Sequence, residues 1–227
     1  MYDSIILIPH RNRETHLKYF LDNTLPIFNK LLPNNKVIIL HQANDKLFNR
    51  GKLLNIGFRE YMNNTKYFIT HDVDVNPFYK TVEDLYTDDV KDKVKGIFTS
   101  PYNTLGGVMK ISSNNIKKIN GFPNGCWGWG AEDKALQNRV EYNNLEIEKN
   151  IFSCDKCYDD SFYRFNDVDD REQVDQTKKF ETNYIDFSKL TKDEKNKNIE
   201  SNGLNNIDYK ILDKLEFDNI GVLKLDI

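Results

Sequence analysis

The sequence predicts an α/β fold built on a mostly parallel sheet, and three observations predict it. Strand-sized apolar runs alternate with segments of helical spacing over the first two-thirds of the chain. The runs Ile5-Ile6-Leu7-Ile8 and Val37-Ile38-Ile39-Leu40 are apolar throughout rather than alternating, as strands covered on both faces must be. With 227 residues, 39% hydrophobic and 12% aromatic, the chain carries enough apolar side chain to fill such a core.

Residues 4–9 form the first strand. Leu17, Phe20 and Leu21 then recur at helical spacing, which starts a helix at residue 14. Residues 37–40 make the second strand. Residues 51–62 make the second helix, with Leu54, Phe58, Tyr61 and Met62 on one face. The third strand, 67–70, runs directly into His71-Asp72-Val73-Asp74. Short strands follow at 96–99 and 107–111, then a short helix at 112–119. Gly, Pro and Trp crowd residues 119–130, so an irregular loop is expected there. A helical pattern resumes over 131–143. From there to residue 202 charge rises and periodicity is poor, which reads as loop and short helices. Residues 209–227 read as a β-hairpin turning at Asp218-Asn219. No repeat or linker divides the chain, so it is read as one domain.

Composition excludes several classes of function. The chain has 32 Lys+Arg against 35 Asp+Glu, interspersed, for a net charge of -3. Nucleic-acid binders usually show a basic face, and none is evident here. No apolar run approaches the roughly 20 residues of a membrane helix, and no leader pattern opens the chain. The three cysteines form no disulfide framework and suit a reducing compartment. Cys154-Asp155-Lys156-Cys157 is half a zinc site, but no histidine follows His71 to complete it.

Three clusters could carry chemistry. Asp72-Val73-Asp74 stands at the carboxyl end of the third strand, where ligands of open α/β sheets bind. Carboxylates at i and i+2 can serve a divalent cation and a sugar or ribose hydroxyl. Asp167-Val168-Asp169 repeats the letters in a polar stretch with no strand before it, so placement rather than composition distinguishes the first copy. Next, Pro9-His10-Arg11-Asn12-Arg13 follows the first strand, and Phe48-Asn49-Arg50-Gly51 opens the second helix. Arginines there can fork onto phosphate, and an aromatic can stack on a base. Either cluster alone is ordinary solvated surface; their shared sheet edge gives them weight. Last, Gly121-Phe122-Pro123-Asn124 precedes Trp127-Gly128-Trp129-Gly130-Ala131-Glu132-Asp133. Alternating Trp and Gly suits indole stacking on sugar faces, although tryptophans in the core and carboxylates favoured by a helix dipole would read the same.

Together these stretches resemble, in order, the β-1,4-galactosyltransferase family (glycosyltransferase family 7). Its members are inverting enzymes of GT-A fold that use UDP-sugars and manganese. The matching stretches are Ile8 to Leu17, Phe48 to Phe58, Asp72-Val73-Asp74, Gly106-Gly107-Val108, Asn120 to Asn124, the Trp-Gly-Trp-Gly-Ala-Glu-Asp run, and Ser201 to Asn205 with Tyr209 to Leu212. The resemblance implies a GT-A type nucleotide-diphospho-sugar transferase fold. Residues 1–143 would bind the nucleotide-sugar and metal, and 144–227 would form the acceptor-side and closing segment.

Carried onto this chain, the family's roles fall on particular residues. Pro9, Arg11, Arg13, Phe48 and Arg50 would hold the uridine diphosphate. Asp72, Val73, Thr104, Gly107 and Trp129 would complete the donor side. Asp74 would bind Mn²⁺, with Mg²⁺ possible. Asp133 would be the base, with Glu132 beside it. The resemblance thus implies transfer of galactose or N-acetylgalactosamine from a UDP-sugar to a sugar acceptor, forming a β-1,4 linkage. An impaired sugar-binding module and a nucleotidyltransferase are the alternatives.

Three departures stand out. His10 occupies an aromatic position. Thr104 occupies the donor-gating position, usually Tyr or a large aliphatic. The metal-binding histidine expected between Asp133 and Asn202 is missing. Among Asp155, Asp159, Asp160, Asn166, Asp167, Asp169 and Asp170, the replacements expected by position are Asp159, Asp160 and Asp167; a solvated acidic loop reads equally well. The chain begins almost at its first strand, so a soluble cytoplasmic enzyme, viral or bacterial, is the expected setting.

Overall fold

The computed structural model describes residues 1–99, 104–128, 130–151, 158–159, 161–164 and 175–227. Strand β1 (Tyr2–His10) contains the first apolar run, and its side chains alternate between two cores. Ile5 and Leu7 enter one core and Ile6 and Ile8 the other, all at zero exposure. A strand buried on both faces also needs partners on both edges. β2 (Asn35–Gln42) and β3 (Thr65–His71) flank it, both parallel.

The sheet extends from this centre. Beyond β2 lie β11 (Ile220–Asp226), parallel to β2, and then β10 (Lys210–Phe217), antiparallel to β11. Beyond β3 lie β6 (Val108–Ser112) and β5 (Lys93–Thr99), joined by antiparallel pairings, and β7 (Glu146–Ile151), parallel to β5. The order of the eight strands is β10-β11-β2-β1-β3-β6-β5-β7. A small antiparallel sheet joins β4 (Val75–Pro77), β9 (Phe162–Arg164) and β8 (Tyr158–Asp159).

Helices cover both faces. On the Ile5 and Leu7 side lie α3 (Arg50–Tyr61), α5 (Ser113–Lys118) and α6 (Glu132–Tyr142), contributing Leu53, Phe58, Ile116, Leu136 and Val140. On the other, α1 (Glu14–Tyr19) passes through a π-helical turn (Phe20–Thr24) into α2 (Leu25–Leu31). Short α4 (Tyr79–Thr81) runs into a second π turn (Val82–Tyr86), so Phe20, Phe28, Val82 and Tyr86 fill this core. Helices α7 (Gln176–Asn183) and α8 (Lys192–Ser201) follow later in the chain.

Strand β7 corrects the expectation of loop and short helices after residue 143. Its sequence, Glu-Ile-Glu-Lys-Asn-Ile, lacks the apolar run of a buried strand because it is an edge strand. Charge pairing holds it in place: Glu148 takes Lys93, and its Oε1 lies 3.6 Å from Lys95 Nζ on β5.

Candidate active site

The carboxyl ends of β1 and β3 and the amino ends of α3 and α6 meet at one edge of the sheet. Each end has a local cause. After β3, the Asp72-Val73-Asp74 turn is closed by Val75 N donating to Asp72 O at 3.2 Å, and Asp72 N donates to Gly107 O at 3.1 Å. Gly107 sits at φ +79 with Phe98 O where a Cβ would clash, 2.7 Å away, so only glycine serves there. Asn49 caps α3, its side chain accepting from Lys52 N at 2.9 Å. Helix α6 starts after Ala131, a non-glycine residue at φ 75.

Charged side chains converge across this edge. Arg13 Nη2 donates to Asp74 Oδ2 at 3.1 Å. Arg50 spans two acids, with Nε donating to Asp72 Oδ1 at 2.7 Å and Nη1 to Asp133 Oδ1 at 2.8 Å. Its Nη2 is buried without a partner, an open donor that favours an incoming oxygen. Arg50 thus ties the predicted donor side to the predicted base, residues 22 and 83 positions away in sequence.

The acids respond to this crowding. Burial of Arg50 works against its charge, but Asp72, Asp133 and Glu132 outweigh it and raise its pKa. Asp72 is raised by burial and by Asp74 and Asp133, against the pull of Arg50. Glu132 is pushed up to about 7, first by burial and then by Asp133, with Arg50 opposing. Adjacent carboxyl groups therefore face different surroundings: burial favours the protonated form of Glu132, while Asp133 takes a guanidinium.

A polar clasp that the sequence reading missed holds the loop before α6. Asn55 Nδ2 donates to Phe122 O at 2.7 Å and to Asn124 Oδ1 at 2.8 Å, and its Oδ1 accepts from Phe122 N at 2.8 Å. Arg139, 1% exposed, donates through Nη1 to Asn120 O and Gly121 O and through Nη2 to Asn202 O. Asn124 N donates to Asn202 Oδ1 at 2.7 Å, so the segment after α8 is bound to the same loop. Asn120-Gly121, both at positive φ, was the one sequence signal for this turn.

The other predicted residues fall as follows. Pro9 is buried at the end of β1 and Arg11 is half-buried beyond it. His10 is buried, its Nδ1 3.0 Å from His41 Nδ1. Phe48 packs on the α3-side core while its carbonyl accepts from Gly128 N at 2.8 Å. Val73 packs into the opposite core. Thr104 is half-buried, two residues before Gly106. Trp129 lies outside the described residues, as do Asp155, Asp160, Asn166, Asp167, Asp169 and Asp170; Asp159 is described only as part of β8. The Cys154 and Cys157 pair also lies outside them.

The oxygen donors of Asp72 and Asp74 suit a hard divalent ion such as Mn²⁺ or Mg²⁺. Among the described residues no three metal-ligating side chains gather. These acids therefore fit a metal whose remaining ligands come from a diphosphate, water or residues outside that set.

Comparison with known proteins bears on this edge. The family model for the N-terminal region of glycosyl transferase group 7 matches residues 1–86, and that for the N-terminal domain of galactosyltransferase matches residues 95–159. Beta-1,4-galactosyltransferase 4 of Cricetulus griseus is 40% identical over 153 residues, covering 63% of this chain and 44% of that protein. Beta-1,4-galactosyltransferase 1 of Mus musculus is 33% identical over 217 residues, covering 92% of this chain and 50% of that protein. The chain thus spans about half the length of the curated relatives it matches. A mutant Drosophila beta-1,4-galactosyltransferase 7, solved with manganese, UDP-Gal and xylobiose, matches with a TM-score of 0.76 at 24% identity, over 100% of this chain and 94% of that one. The fold is GT-A.

The cytoplasmic, viral or bacterial setting expected from the sequence does not stand, because the relatives are animal Golgi enzymes. The expectation leaned on where the chain begins, which a stretch of half its relatives' length cannot inform. It leaned also on cysteine usage. Cys126 is buried and its thiol is pushed up to about 12, chiefly by that burial, so it stays inert in an oxidising compartment too. No helix among the described residues is long and apolar enough to cross a membrane. From the two family models, the relatives matched over nearly the whole chain and the site motifs in order, this chain belongs to glycosyltransferase family 7, the β-1,4-galactosyltransferase family.

Proposed function

We propose that this chain is the catalytic part of an inverting transferase. It moves galactose or N-acetylgalactosamine from a UDP-sugar to an acceptor sugar hydroxyl, forming a β-1,4 linkage. The carrying observation is Arg50 bridging Asp72 and Asp133, which joins donor-side acid and base at one sheet edge. The names of the relatives, and the UDP-Gal, manganese and xylobiose of the Drosophila structure, support the substrate classes.

Arg11, Arg13 and Arg50 receive the diphosphate, and the unpartnered Nη2 of Arg50 offers it or the donor sugar a ready hydrogen bond. Asp133 accepts the proton of the acceptor hydroxyl as its oxygen bonds to the anomeric carbon and the bond to UDP breaks on the opposite side. Glu132, whose burial favours its protonated form, donates to a sugar oxygen. Asp74 would hold Mn²⁺, which when bound neutralises charge on the departing diphosphate, and Asp72 would take the donor's ribose or sugar. The small side chain of Thr104 leaves room for an N-acetyl group on the donor. Residues 1–143 carry the donor half of this machinery, and 144–227 the acceptor side and the closing segment.

The test is UDP release from UDP-Gal and UDP-GalNAc, with GlcNAc, glucose and xylose glycosides as acceptors, with and without Mn²⁺. The parent is expected to turn over only with the metal, and Asp74→Ala to lose that turnover. Equal rates in all cases would sink the proposal. UDP binding by calorimetry without turnover would mark a binding module of the same fold.

A further inference from the structure

Asp133 has neighbours on both of its carboxylate oxygens, and only one of them is a hydrogen-bond donor. Oδ1 takes Arg50 Nη1 at 2.8 Å, and Arg50 is itself fixed by Asp72 at 2.7 Å. Oδ2 lies over the backbone of Gly106, where an added Cβ would stand 2.3 Å from Oδ2 and 3.0 Å from Cγ. Real Cβ atoms do not approach that closely, so a methyl group there must displace the carboxylate. The φ of Gly106 lies outside the left-handed region, so its backbone asks for no glycine. The space occupied by Asp133 is what calls for the missing side chain.

Resting on the reading of Asp133 as the base, we infer that Gly106 is a positioning residue for the transfer step. With Arg50 it forms a two-sided seat that fixes the carboxylate where the acceptor hydroxyl arrives. Aspartate has only two side-chain torsions, so it cannot clear a methyl at residue 106 and keep Oδ1 on Arg50. Arg50 cannot follow, because its Nε is held by Asp72. A displacement of about 1 Å at a reacting group costs about 100-fold in rate.

The experiment compares the parent chain with Gly106→Ala, Arg50→Lys and Asp133→Asn, plus Gly125→Ala as a glycine control. Gly125 is exposed and has nothing within 4 Å of an added Cβ. Gly106→Ala is expected to lower kcat about 100-fold while donor KM, UDP affinity and Tm stay near parental. Arg50→Lys keeps the charge but loses the fork, and should also lose kcat. Adding Gly106→Ala to Asp133→Asn should cost nothing further, since the base is already gone. The ¹³C signal of the Asp133 carboxyl should shift in ligand-free Gly106→Ala and not in Gly125→Ala.

Parental kcat in Gly106→Ala, losses that multiply in the double variant, or an unmoved carboxyl signal would each overturn the inference. A parent that releases no UDP overturns the transferase reading instead, and the carboxyl signal then decides the seat on its own.

Discussion

Acidification should destabilise this protein through His71, and the loss can be worked from its surroundings. His71 has no exposure, its ring packed edge-on against Phe20 and Phe28. Nδ1 lies 2.9 Å from Asp72 O and Nε2 3.0 Å from the Tyr86 hydroxyl. A carbonyl can only accept, so Nδ1 carries the proton and Nε2 accepts from Tyr86. Burial is the main cause that lowers the pKa from 6.5 to about 4, with Asp72 and Asp74 opposing. The unfolded chain takes up the proton as pH falls through 6.5, while the folded chain refuses it until about 4. Stability is therefore complete above the first value and is lost progressively down to the second. About 2.5 pH units at 1.36 kcal/mol each make about 3 kcal/mol. Guanidinium unfolding at a series of pH values should show that slope in the parent. His71→Asn, which keeps a donor for Asp72 O, should lack it, and the other titrating groups cancel in the comparison. Equal slopes would refute the reasoning. So would a His71 ring signal titrating near its ordinary value by NMR, a readout that does not need the variant to fold.

Two further outcomes follow from the loops around the site. Arg139→Met strips three buried carbonyls of a charged donor while relieving the burial of a cation. The net loss should be about 3 kcal/mol, or about 6–12 °C in Tm, and a calorimetric shift under about 2 °C would contradict it. Ala131→Gly relieves a left-handed residue before α6 and should raise Tm by about 2–4 °C; a fall would show that the Cβ contributes contacts outweighing the strain.

What the sequence made legible was periodic or local. The unbroken apolar runs of β1 and β2 announced strands covered on both faces, and the spacing of Leu54, Phe58 and Tyr61 announced α3. The final hairpin was also visible, but not that its second strand lies parallel to β2 inside the sheet. Strand β7 escaped because edge strands held by lysine–glutamate pairs show no apolar pattern. The site motifs stood at strand ends, where the fold uses them, yet their mutual contacts were invisible. Arg50 read as a phosphate ligand; its span between Asp72 and Asp133 depends on how α3 and α6 are set against β3. The asparagines at 55, 120, 124 and 202 lay within stretches that resemble the family, but the clasp they form was not legible, since polar side chains serving irregular backbone follow no period.

The place of β11 has a consequence for how the chain is made. Val37 to His41 pair along one edge with β1 and along the other with residues 220–224. During synthesis from the amino end, β1, β2 and β3 can assemble long before the last strand leaves the ribosome. Through that interval an apolar strand edge stands open, a template for pairing with another nascent chain. Closure of this edge waits on residues 220–225, far along the chain from β2, so until they emerge a strand that the finished fold covers stays exposed to other chains.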